Sequence, residues 1–208
     1  MRIWSTNFDD GGMIPSSFCL CRPDPIAHAT FAANRNPHLI WDGIPEGARS
    51  LALICVDPDA PTVGDTVNVE GMEVPADLPR GDFYHWLAVD LPVGVTSIAE
   101  GSCAAGVVTG GKRDRRGPHG CLQGINDYTG WFVGDADMEG HYLGYDGPCP
   151  PWNDSIVHRY VFTLYALDVL ALDVPDEFAG ADVVEAMRGH VLAEASLTGR
   201  YTLNPDLA

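Results

Sequence analysis

The chain has one lysine, Lys112, no cysteine pair spaced as CxxC, and no apolar run near the ~18 residues that a membrane-crossing helix needs. Each absence closes a class of function. With 12 Lys and Arg against 29 Asp and Glu the net charge is -17, so the clustered cations that neutralise nucleic-acid phosphates or anionic bilayers are missing. Neither nucleic-acid binding nor stable membrane insertion is expected. Six cysteines (Cys19, Cys21, Cys55, Cys103, Cys121 and Cys149) in 208 residues do not form a disulfide framework, and most are expected as reduced, small core residues. The opening MRIWSTNFDD lacks the basic-then-apolar pattern of a signal peptide, which makes the cytoplasm the default expectation. The bias towards Asp, and towards Arg over Lys, points to a GC-rich genome or a salt-loving source.

Catalytic motifs are missing too. There is no HExxH, no GxSxG, and no cysteine in a diagnostic nucleophile context. Gly106 to Lys112 (GVVTGGK) fits the first seven positions of a phosphate-cradling loop. However, Arg113 stands where Ser or Thr would hold magnesium, and RDRRGPHG cannot open the helix such a loop requires. A surface loop is the better reading. Asn153-Asp154-Ser155 is a glycosylation sequon that has meaning only in a secreted chain.

What remains is a hydrophobic fraction of 46% in one domain, 1–208, punctuated by turn signals at the intervals of a sheet protein. Leu51 to Val56 is apolar on both parities, the mark of a strand buried on both faces, and runs into Asp57-Pro58-Asp59-Ala60-Pro61. Phe83 to Leu91 reads as a strand with Phe83, His85, Leu87 and Val89 on one face. The Pro/Gly-rich stretch GYDGPCPP leads to His158, whose strand parity is shared by Tyr160, Phe162, Leu164 and Ala166. From Ala181 to Leu197 apolar residues recur at helical spacing, with Asp182 and Glu185 in the first turn, so a C-terminal helix is expected there.

His85 and His158 each stand at a strand end beside turn residues. Either could be a core histidine satisfied by backbone groups. With Asp57, the pair would set a carboxylate and two imidazoles on one rim, a set suited to a small anion, with Asp57 accepting from a ring N–H. Three separated ligands of this kind also raise a zinc site, but no close-spaced pair supports it, and no metal or cofactor is expected. Asp59 reads as a turn carboxylate, and Trp86, of opposite parity to His85, as core or partner-facing surface.

DPDAP, YHWLAVDLP, GPCPP and HRYVFTLYALD, in that order, resemble the phosphatidylethanolamine-binding protein family, specifically its bacterial and archaeal Raf kinase inhibitor-like branch. The resemblance runs from TNFDDGGMIPSSF to HVLAEASLTGRYTL. It implies a mainly β fold: a large antiparallel Greek-key sheet with a smaller sheet and peripheral helices. It also implies a pocket for phosphate-like or carboxylate-like groups lined by Asp57, His85 and His158, with walls from Pro61, Pro148 and Pro151 and a hydroxyl from Tyr160. On this reading the chain is a non-enzymatic binding module that captures a small anionic or phosphorylated ligand. Regulation of a partner kinase or protease and a two-fold homodimer are further implications. The alternative is an enzyme on small phosphorylated or carboxylated substrates, with His85 or His158 as acid or base. Replacing His158 is expected to abolish anion binding and leave the fold largely intact. Thr62 to Asp82 is longer than the family's usual link between the aspartate and histidine blocks, and reads as a hairpin bordering the pocket or as a mobile flap.

Overall fold

A strand that is apolar on both parities needs cover on both faces, and this chain supplies it from two sides. In the computed structural model, which describes residues 1–207, the strands are β1 (Arg2–Ser5), β2 (Cys21–Asp24), β3 (His28–Phe31), β4 (Leu39–Asp42), β5 (Ser50–Pro61), β6 (Arg80–Leu91), β7 (Ser97–Ile98), β8 (Gly111–Lys112), β9 (Leu122–Gln123), β10 (His141–Tyr142), β11 (His158–Leu167) and β12 (Val191–Tyr201). The α-helices are α1 (Tyr128–Trp131) and α2 (Gly180–Ala186). The main sheet has the order β12-β11-β5-β6-β9 and is antiparallel throughout. Its β11-β5-β6-β9 part is a Greek key, because the last of the four in sequence lies beside the first. A smaller sheet, β1-β4-β7, packs Ile3, Leu39 and Trp41 against Leu53, Trp86, Phe162 and Leu164 on one face of the main sheet. On the other face Ala52, Ile54, Leu87 and Val89 lie under Phe178, Val183 and Met187, around α2.

Several expectations are corrected. The helix anticipated over Ala181 to Leu197 stops at Ala186, and Val191 onward is β12, paired along β11. Gly189, at φ 82°, breaks the helix, and the pairing that β11 offers overrides the helix propensity of LAEASL. Strict alternation along β6 fails as well. Cys55 faces Trp86 while Val56 faces Tyr84, so His85 is the extra residue of a bulge. Phe83 and Trp86 therefore pack into the core under the smaller sheet, while Leu87 and Val89 face α2. Trp86 is fully buried, so it is core. Within Thr62 to Asp82, Thr62 to Pro79 forms no hairpin of its own; it is a chain of turns with one bridge, Val74 to Asp154, and Arg80 already begins β6.

Cys21 and Cys149 are joined by a disulfide across 128 residues, with Cα atoms 4.9 Å apart, tying β2 to the GPCPP loop. The other cysteines are free thiols, as expected for most of the six. Burial pushes those of Cys103 and Cys121 up to about 12, which keeps them protonated and poor nucleophiles.

A cross-link between residues so far apart restricts the unfolded chain strongly. Its removal, by reductant or by Cys21→Ser, is expected to lower stability by about 2–5 kcal/mol in urea melts. Thiol titration of denatured protein should count four free cysteines before reduction and six after it.

Candidate functional site

At the end of the main sheet, β5 and β11 deliver Asp57 and His158 side by side. His158 Nδ1 lies 2.7 Å from Asp57 Oδ2, and Nε2 lies 3.0 Å from Asp154 Oδ2. An imidazole with a carboxylate on each nitrogen donates from both and is therefore an imidazolium. Burial works against that charge, but the hydrogen bonds to Asp154 and Asp57 overcome it and raise His158 to about 9. Arg80, at the start of β6, closes the chain with two bonds to Asp154, at 2.6 and 3.0 Å. Burial pushes the Asp154 carboxyl up, yet the bonds from His158 and Arg80 leave it below its usual value. Asp57 Oδ1 accepts from Asp59 N at 2.8 Å. Asp59, expected as a turn carboxylate bonding its own backbone, instead accepts from Arg159, from its backbone N–H at 2.9 Å and from its guanidinium at 2.9 and 2.7 Å.

His85 sits in the same pocket in the opposite state. Its Nδ1 is 2.8 Å from the Asp146 carbonyl oxygen, which can only accept, so Nδ1 carries the proton. Burial lowers its pKa more than Asp57 and the Asp146 carbonyl raise it, so the ring is neutral near pH 7 and Nε2 is an unprotonated acceptor. The rings of Phe83, Tyr128 and Tyr160 surround it, with centroids 5.0, 5.4 and 5.1 Å away. Asp146 is itself held by Lys112 at 2.8 Å, Asn34 at 2.7 Å and Asn126 at 2.8 Å. The ammonium of the GVVTGGK stretch is thus engaged by a buried carboxylate and is not free to hold a phosphate.

Asp57, His85, His158 and Tyr160 form the floor of one cleft of about 520 Å3, part of it open to solvent, and Pro61 and Pro151 line its wall. Those six expectations converge. Pro148 is the exception: it lies off the cleft, its carbonyl accepting from Leu20 and Cys21, and Pro150 lines the wall instead. The cleft also gains Ala60, Asn68, Phe83, Tyr128, Trp131 and Cys149. No sequence motif marks these residues as part of a site, nor Asp154, Arg80 and Asp146 behind it. The only signal for Asp154 was a sequon, and Asn153 makes a poor glycan acceptor because it is buried and its amide bonds to Thr66, Asn68 and Met72. The Tyr160 hydroxyl is buried with no partner. Burial raises its pKa well above the usual value, so it stays a donor.

The chain belongs to the phosphatidylethanolamine-binding protein family, whose model matches residues 4–202. A UPF0098 protein of Methanothermobacter thermautotrophicus is 38% identical over 201 residues, covering 97% of this chain and 98% of the relative. The UPF0098 protein YbhB of Escherichia coli is 32% identical over 169 residues, covering 81% and 82%. Among solved structures, E. coli YbcL, described as a new member of the mammalian family, aligns with a TM-score of 0.68 at 25% identity over 97% of each chain. A family homologue from Chlamydia trachomatis aligns at 0.64 with 28% identity, covering 96% of this chain and 95% of its own. No helix among the described residues is long and apolar enough to cross a membrane.

The two histidines should shape stability against pH with opposite signs. His158 is raised in the fold to about 9, so its contribution is complete below its unfolded value of about 6.5 and is lost as pH rises through about 9. The loss is on the order of 3 kcal/mol. His85 is lowered, so its contribution is present above the unfolded value and is lost as pH falls through the folded one. Urea melts should therefore place maximal stability near pH 6–7. His158→Ala should cost about 3–5 kcal/mol, because it strands Asp57 and Asp154, contrary to the expectation that the fold would hardly notice.

Proposed function

We propose that this chain is a non-enzymatic binding protein whose cleft takes a small anionic or phosphorylated group. The observation that carries the reading is Tyr160, a residue of the cleft lining whose buried hydroxyl has no hydrogen-bond partner. Leaving such a donor unpaired costs about 1–3 kcal/mol, which a ligand oxygen accepting from it would recover. Beside it, His85 Nε2 adds an acceptor. A hydrogen phosphate group suits the combination, since one oxygen accepts from Tyr160 and its own O–H donates to His85.

Charge balance supports the same reading. Asp57 and Asp154 are matched by His158 and Arg80, Asp59 by Arg159, and Asp146 by Lys112. An anion entering the cleft therefore meets a neutral floor, despite the net charge of -17. The same pairings weigh against acid–base catalysis by His158, since both its nitrogens are committed. Only His85 Nε2 is left for proton transfer. Partner regulation and two-fold pairing, implied by the family resemblance, would use surfaces outside this cleft and belong to the proposal only as extensions.

Titration calorimetry with O-phosphorylethanolamine and inorganic phosphate tests the reading. Tyr160→Phe should weaken binding about tenfold with an unchanged melting curve, and His85→Ala by at least as much. Because neutral His85 takes a proton from the ligand or from solvent, affinity should fall as pH rises from about 6 to 8. Sulfate, which brings no proton at pH 7, should bind more weakly than phosphate. Equal affinities for phosphate and sulfate, or a Tyr160→Phe variant that binds as the wild type does, would overturn the proposal. Incubation with phosphomonoesters should give no released phosphate.

A further inference from the structure

Asn68 is the one residue of the Thr62 to Asp82 segment that lines the cleft. It has a left-handed backbone, φ 57°, a conformation that Asn and Asp adopt more readily than other side-chain-bearing residues. Its N–H donates to Asn153 Oδ1 at 2.9 Å, and its own Oδ1 accepts from Trp152 N at 3.0 Å. With Oδ1 committed, the amide Nδ2 has no hydrogen-bond partner among the described residues, at an exposed position on the rim of the cleft. The turns around it are bolted down. Asn153 Nδ2 donates to the carbonyls of Thr66 and Met72 at 2.8 and 3.1 Å, Ser155 binds the Val74 carbonyl at 2.8 Å, and Arg80 binds that of Pro75 at 2.8 Å.

We propose that Thr62 to Asp82 is a fixed wall of the cleft, with Asn68 supplying through Nδ2 a second donor to the bound anion. Tyr160 holds the ligand from the floor and Asn68 from the wall, so the segment sets which anions fit. This inference rests on the anion-binding reading above and deepens it. A wall bolted by Asn153 holds its donor in place before the ligand arrives, which spares the ordering cost a mobile flap would incur.

The substitution Asn68→Asp separates recognition from structure. Asp keeps the Oδ1 acceptor for Trp152 and tolerates the same φ, but it replaces the donor with a negative charge. With inorganic phosphate at pH 6.5 as the probe, Asn68→Asp should melt as the wild type does and bind at least about tenfold more weakly. Asn68→Gly, which also accepts the backbone conformation, should lose less, because it adds no repulsion; it keeps the test open if the Asp variant melts lower. If Tyr160→Phe weakens phosphate and both Asn68 variants bind as the wild type does, the wall inference is overturned and the pocket reading stands. If Tyr160→Phe is also without effect, the pocket reading itself has failed and this inference falls with it.

Discussion

The imidazolium of His158, clamped between Asp57 and Asp154 with Arg80 behind, is the contact that the end of the sheet hangs on. Its members come from β5, β6, β11 and the loop before β11, so one buried chain of charges joins three strands where they begin to part into loops. Such a chain holds only when complete. Removing one member leaves the others desolvated and unpaired, which costs far more than the intact chain contributes over a well-packed apolar replacement. His158 is therefore a structural cation that also forms pocket floor. His85, a short distance away in the same cleft, is held neutral by a carbonyl and three aromatic rings. Two residues of one type thus have different charge states because one faces carboxylates and the other faces a carbonyl and rings.

The same pairing is what makes the proposed anion site compatible with a net charge of -17. Asp57 and Asp154 are tied to His158 and Arg80, Asp59 to Arg159 and Asp146 to Lys112. Lys112, the single lysine, is one of those cations. It reaches the carboxylate of Asp146, the residue whose backbone carbonyl fixes the tautomer of His85.

The core strands were legible in the sequence because their signal is local. LALICV is apolar on both parities, HRYVFTLYAL carries Tyr160, Phe162, Leu164 and Ala166 on one parity, and β5 and β11 lie side by side. Asp57, His85, His158 and Tyr160 stand on or just beyond strand runs, but a common pocket for them is what the family resemblance implies and not what the local pattern shows. The failures are all non-local. The bulge at His85 depends on register against β5, and the strand from Val191 depends on β11 outcompeting a helix that the residues favour in isolation. Asp154 and Arg80 enter the charge chain across 74 residues of sequence, and the disulfide joins cysteines with no spacing signature. The Cys21–Cys149 bridge also pulls against the cytoplasmic expectation, since bridges of this kind persist mainly in oxidising compartments.

Floor and wall differ in how freely they can change. The floor residues are coupled: altering Asp57, His158, Asp154 or Arg80 disturbs a buried charge chain, so substitutions there act on stability first and on binding second. The wall is held by backbone carbonyls accepting from Asn153, Ser155 and Arg80, contacts indifferent to which side chains the turns carry. On the proposed reading, a change at Asn68 that keeps its bonds to Asn153 and Trp152 alters what the cleft accepts without unsettling the sheet beneath it. The GPCPP side is fixed as well, by its prolines, by the bridge to Cys21, and by Leu20 and Cys21 donating to the Pro148 carbonyl. A cleft fixed on both sides has little freedom to lose on binding, so its selectivity follows from where its few unpaired polar atoms point.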